Sequence, residues 1–179
     1  MAGKLERWFR ANERDLPWRR PAPDSSTRAY RALVAEFMLQ QTQVSRVIER
    51  YTRFLQQYPT VASLAAACEQ DILTLWQGLG YYSRARNLLA CARVLMSDFD
   101  GVIPETPDAL LTLPGVGRYT AGAISSIAYG RPEPIVDGNV ARVLRACCGS
   151  RNRSQQRLPA TDCGPLQSNS LSRPIHRRT

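Results

Sequence analysis

The run Leu113-Pro114-Gly115-Val116-Gly117-Arg118-Tyr119-Thr120-Ala121-Gly122 constrains the fold of this chain more than any other stretch. Pro114 ends a short preceding helix, and Gly115 and Gly117, both free to take positive φ, allow a tight turn before a new helix begins. The predicted element is a helical hairpin whose turn presents consecutive backbone amides at the start of its second helix. Such amides, backed by the positive end of the helix dipole, seat a phosphate without any cationic side chain. Leu113, Gly115, Val116, Gly117, Arg118 and Thr120 are therefore candidate contacts to a phosphate backbone. Pro-Gly-x-Gly turns also join helices that bind nothing, so the turn alone leaves both readings open.

The rest of the chain agrees with a hairpin of helices. Apolar residues recur at helical spacing and no stretch alternates as a strand would, which predicts an all-α fold. Helices are expected over 4–13, 30–41, 44–58, 61–68 with Thr60 as its cap, 69–77, about 82–101, 107–113, 118–129 and 138–144. Leu5, Trp8 and Phe9 give the first an apolar face, expected to pack on something later in the chain. Trp18, in Leu16-Pro17-Trp18-Arg19-Arg20, reads either as packing at a helix joint or as facing a nucleic acid.

Residues 30–41 are the most informative helix. Tyr30, Leu33, Val34, Phe37 and Met38 form one apolar face, and Ala32, Ala35, Glu36 and Leu39 lie on the other side. Glu36 is thus a lone carboxylate among small apolar neighbours. Poor solvation raises a carboxyl pKa, as a general acid working near neutral pH needs. On the wheel alone Glu36 is equally a solvent-facing helix former. Asp137, in Val136-Asp137-Gly138-Asn139-Val140, precedes a helix whose dipole favours an ionised carboxylate, and a plain N-cap has the same appearance. Gln40-Gln41-Thr42-Gln43 crowds amides at a helix end, where they serve base edges. Tyr81-Tyr82-Ser83-Arg84-Ala85-Arg86 brings rings and guanidinium groups to a helix start, where they stack on a base, hold phosphates or simply pack.

Charge points the same way. The formal net charge of +9 favours a polyanionic partner, although six arginines against Asp162 in residues 150–179 account for +5 of it. That segment, with scattered Pro, Ser and Asn and no period, reads as a disordered tail. Lys4 is the only lysine. No apolar run reaches the roughly 18 residues of a membrane span, and the opening residues have no signal-peptide core, so a cytosolic or organellar protein is expected. Five cysteines without a C-x-x-C pair argue against a disulfide framework; Cys68 and Cys91 read as core fillers, and no spacing supports a metal site from Cys163 and His176.

Taken together, Leu-Pro-Gly-Val-Gly, the Val-Asp-Gly-Asn-Val that follows, Leu16-Pro17-Trp18-Arg19, Glu36-Phe37-Met38-Leu39-Gln40-Gln41-Thr42-Gln43 and Gly78-Leu79-Gly80-Tyr81-Tyr82 resemble, in order, the helix-hairpin-helix DNA glycosylases, and within them the MutY-type adenine glycosylases. The resemblance runs from about residue 8 to residue 144. It implies a six-helix barrel over 27–134 with the hairpin, and a second lobe, incomplete here, from 1–26 and 135–149. It further implies excision of adenine mispaired with 8-oxoguanine or guanine in double-stranded DNA. Glu36 then corresponds to the catalytic acid, Asp137 to the stabiliser of the cationic sugar, and Gln41 and Tyr82 to residues entering the duplex, with Gln40 beside them. Tyr119 stands where the endonuclease III branch carries its lyase lysine, which implies base removal without strand cleavage. A thymine-mismatch glycosylase and a non-enzymatic DNA-binding remnant stay open as alternatives. The family's four clustered cysteines for a [4Fe–4S] cluster are absent, so no cofactor is expected, and the chain reads as truncated or divergent at that end. A monomer is expected, in the nucleoid if bacterial and in the nucleus or mitochondrion if eukaryotic.

Overall fold

The computed structural model describes residues 2–148, and the segment expected to be a disordered tail lies outside the described residues. Among the described residues the chain is all-helical, as the periodicities predict: α1 (Ala2–Asn12), a 3-10 turn (Pro17–Arg19), α2 (Ser25–Leu39), α3 (Val44–Gln57), α4 (Val61–Ala65), α5 (Glu69–Leu75), α6 (Ser83–Asp98), α7 (Pro107–Leu110), α8 (Arg118–Tyr129) and α9 (Gly138–Cys148). None of the described helices is long and apolar enough to cross a membrane. By internal packing the chain separates into one unit ending at Asp137 and a second beginning at Gly138.

The first unit is built around α2. It packs most extensively against α8 and also against α3 and α6. Its two sides are therefore both covered: Tyr30, Leu33, Val34, Phe37 and Met38 are buried, and so are Ala29, Ala32 and Ala35. The helix starts earlier than its apolar pattern suggests, because Asp24 caps it, its Oδ1 accepting from the Thr27 amide at 2.7 Å. Around it lie Val47, Tyr51 and Phe54 of α3, one heptad-spaced face, with Phe54 edge-on to Trp76 at 6.3 Å between centroids. Thr60 caps α4 in a reciprocal arrangement with Ser63, as its position predicts.

The scaffold settles one open reading and changes one expectation. Trp18 is a packing residue, edge-on to Tyr51 at 5.3 Å, because the 3-10 turn touches α2 and α3. Cys91 is buried, its thiol pushed up to about 12 by burial, but Cys68 is exposed: α4 stops at Ala65, which leaves Cys68 in a cap position before α5 and not on an apolar helix face. α1 forms, and Leu5, Trp8 and Phe9 are exposed among the described residues, as expected of a second lobe that is incomplete here. In the second unit, Val140, Val143 and Leu144 are exposed as well.

Candidate active site

The hairpin forms where the sequence predicts it. Pro107 opens α7, Leu113 and Val116 donate back to the carbonyls of Leu110 and Leu113, and α8 begins at Arg118. Only one glycine serves the turn by left-handed backbone. Gly115 has φ +75, and a Cβ there would stand 2.7 Å from Asn87 Cβ and 2.8 Å from Phe37 Cε1. Gly117, expected to share that role, is an extended N-cap at φ −94 with open space around it. Hence Gly115 lets the turn press onto α2 and α6, whereas Gly117 leaves the first amides of α8 uncrowded. The side chains of Leu113, Val116 and Thr120 are buried, so these residues face a ligand by backbone alone. Arg118 is exposed and makes no ion pair among the described residues.

Beside the hairpin stand the two candidate carboxylates. Glu36 sits in the last turns of α2, half-buried, with no hydrogen bond or ion pair to its carboxylate among the described residues, and burial pushes its carboxyl up to about 7. Tyr119, in the first turn of α8, has its phenol held above the ordinary tyrosine value by burial and then by the negative charges of Glu36 and Asp137. Both carboxylates therefore act on the Tyr119 phenol. Small side chains allow this. Ala121, Gly122 and Ala123 are buried in the packing of α8, and at Gly122 a Cβ would meet the Pro134 carbonyl at 3.5 Å and Ile135 at 3.8 Å. The segment leading to Asp137 thus lies directly on α8, where a larger residue would displace it.

The sequence model of HhH-GPD superfamily base excision DNA repair proteins matches residues 34–162, which includes the hairpin and all three of these residues. The chain belongs to this superfamily. Within it the similarity is to the MutY type: the adenine DNA glycosylase of Homo sapiens is 52% identical over 146 residues, covering 79% of this chain and 27% of that protein. The adenine DNA glycosylase of Mycolicibacterium smegmatis is 46% identical over 141 residues, covering 79% of this chain and 47% of its own length. The chain therefore spans less than half the length of these relatives. Among solved structures, a thermostable thymine-DNA glycosylase superposes with TM-score 0.72 at 29% identity, covering 80% of this chain and 64% of that one. A non-covalent endonuclease III–DNA complex gives 0.66 at 26% identity, covering 79% and 63%.

In this HhH-GPD member the remaining candidates gather just beyond the same C-terminal end of α2. Gln40 is its C-cap and half-buried, and Gln41 follows at φ 54, exposed, which is why the helix ends two residues sooner than its pattern suggests. Tyr82 is the exposed N-cap of α6. The two arginines after it part company: Arg86 is exposed and pairs with Glu69 at 2.8 Å, while Arg84 is buried. The sequence reading leaves Arg84 ambiguous, although a signal was present, since Leu88, Cys91, Ala92 and Leu95 continue its helix face and all are buried. The seat that Phe37 and Asn87 provide for the turn had no such signal. For the iron–sulfur cluster of the resemblance the described residues do not fit: Cys68 and Cys91 lie on separate elements, and no group of three or more His, Cys, Asp or Glu side chains there stands close enough to hold a metal ion.

Proposed function

We propose that this chain excises adenine mispaired with 8-oxoguanine or guanine from duplex DNA, by hydrolysing its N-glycosidic bond without cutting the strand. The observation that carries the reading is the half-buried, partnerless Glu36, its carboxyl poised at about 7, its charge acting with that of Asp137 on Tyr119 beside a phosphate-seating hairpin. Similarity to adenine DNA glycosylases over 79% of the chain supports the choice of base.

In this reading Glu36 gives its proton to a ring nitrogen of the extruded adenine, and the bond from the sugar C1′ breaks with its electron pair leaving on the base. Ionised Asp137 stabilises the cationic sugar, water adds at C1′, and the proton water releases returns to Glu36. Tyr119 is no amine, so no imine to the sugar forms and the strand stays intact. The backbone from Gly115 to Thr120 and the Arg118 guanidinium hold phosphates, and Gln40, Gln41 and Tyr82 meet the disrupted base pair. The protein acts as a monomer on DNA in the compartment that holds it, nucleoid, nucleus or mitochondrion. A six-helix barrel over 27–134 with 1–26 and 135–149 in a partial second lobe belongs to the same proposal, as does work without a resident cofactor.

One observation favours a second reading. The thermostable thymine-DNA glycosylase is the structural neighbour at TM-score 0.72, and a tyrosine at position 119 suits that branch too. Excision assays on duplexes carrying A opposite 8-oxoguanine, A opposite G and T opposite G decide between them. Release of adenine from the first two, lost in Glu36→Gln, is the expected result. Release of thymine alone moves the chain to the second reading, and tight binding with no release of either base leaves a DNA-binding module.

A further inference from the structure

Arg84 is 7% exposed and spends its guanidinium on backbone. Nη1 donates to the carbonyls of Phe37 and Met38, each at 3.0 Å, and to that of Gln40. Nη2 donates to Thr42 Oγ1 at 2.9 Å and to the carbonyls of Leu79 at 3.2 Å and Gly80 at 3.1 Å. Its plane lies over Trp76 and Tyr81, with centroids at 5.6 and 5.5 Å. The acceptors belong to the last turn of α2 and to two loops, 40–43 and 78–82, and these loops hold Gln41 at φ 54 and Tyr81 at φ 48. Left-handed backbone in such residues persists only where the surroundings over-determine it. The loops also form the facing walls of one open groove of about 540 Å³, which Gln41, Gln43, Arg46, Tyr81 and Tyr82 line.

We infer that Arg84 is a positioning residue for recognition of the disrupted base pair: its planar fork clamps the 40–43 loop to the 78–82 loop and so presents Gln41, Tyr81 and Tyr82 as fixed walls of one groove. The inference rests on the reading above that this groove meets DNA. Arg84 itself touches no DNA, because both its terminal nitrogens are already engaged below the groove floor. A lysine keeps the charge and loses the clamp, since one ammonium cannot reach acceptors on both loops in one plane.

Two readouts on the full chain test this. In hydrogen–deuterium exchange, Arg84→Lys is expected to speed exchange in 40–43 and 78–82 together and leave α8 unchanged, and Thr42→Val, a milder loss of one acceptor, to do the same to a smaller degree. In binding, the preference of the protein for a duplex with A opposite 8-oxoguanine over a fully paired duplex is expected to fall about tenfold or more in Arg84→Lys. Adding Gln41→Ala to that variant is expected to cost little further, because Gln41 is already misplaced. Unchanged exchange in both loops overturns the clamp, and so does a preference that survives in the correctly folded fraction counted by active-site titration. Fully additive losses from Arg84→Lys and Gln41→Ala overturn the coupling. Should Arg84→Lys fail to fold, Thr42→Val with the same two readouts decides. A wild-type protein with no mispair preference sinks the functional reading, while the exchange result still stands or falls alone.

Discussion

Glu36 and Arg84 both bury charge-bearing groups against the C-terminal half of α2, and they are treated in opposite ways. Arg84 meets five carbonyls and a hydroxyl, several of them at the negative end of the helix dipole, so its charge is compensated and it acts as a fixture. Glu36 meets no hydrogen-bond or ionic partner among the described residues, and its ionised form is disfavoured. A buried guanidinium whose terminal nitrogens meet acceptors, with only Nε left unpartnered, holds geometry; a carboxyl left without donors becomes a group that exchanges protons near neutrality. In the proposed reading the same helix carries a rigid end for recognition and a proton donor for chemistry.

The comparison breaks most directly at Glu36. Glu36→Gln keeps shape and loses the proton, so single-turnover excision is expected to fall by about a thousandfold, while duplex affinity measured by anisotropy stays within a few-fold. Excision at near wild-type rate would remove the general acid. Asp137→Asn is expected to slow excision by roughly a hundredfold in the same assay, through lost stabilisation of the cationic sugar.

A pH series sharpens the contrast. Burial raises the Glu36 carboxyl from an ordinary 4.5 to about 7, so its protonated form, and with it excision, is expected to decline above about pH 7. For stability the sign is that of a raised carboxyl. Its contribution is fully present below about 4.5 and is lost as pH rises through about 7. Thermal melts of Glu36→Gln and wild type are therefore expected to agree near the acid end, to diverge as pH rises from about 4.5, and to be fully separated above about pH 7, with the variant melting higher. Equal melts throughout would show that the carboxylate is adequately solvated.

The hairpin glycines give a smaller effect. Gly115→Ala places a methyl group against Phe37 and Asn87 in left-handed backbone and is expected to cost about 2–4 kcal/mol by denaturant unfolding. Gly117→Ala, at negative φ in open space, is expected to cost about 1 kcal/mol or less. Equal costs would mean that the turn is not pressed onto α2. The smallest expected effect is none: borohydride should trap no covalent protein–DNA adduct, and a trapped adduct would expose an amine nucleophile that Tyr119 does not supply.

How much of this was legible in the chain differs between neighbouring residues. Glu36 as a lone carboxylate among Ala32, Ala35 and Leu39, the hairpin turn, and the Thr60 cap are local patterns, and periodicity with cap chemistry suffices to place them. The α1 face is legible as apolar, and its exposure, with that of Val140, Val143 and Leu144, agrees with a second lobe that is incomplete here; a helical period states which side seeks burial and not whether a partner is there.

By itself, then, the sequence determined the helical succession, the place of the turn, and that the carboxyl at position 36 stands alone among small apolar residues. Those follow from interactions within a few residues. Only the tertiary structure decided that Gly115 and not Gly117 must be left-handed, that Arg84 and not Arg86 goes inside, and that the charges of Glu36 and Asp137 both act on Tyr119. Each of these depends on what another helix puts opposite: Phe37 and Asn87 against the turn, the carbonyls of two loops around one guanidinium, and Gly122 beneath the segment that carries Asp137. Contacts between residues tens of positions apart in the chain are set by packing, which no local period encodes.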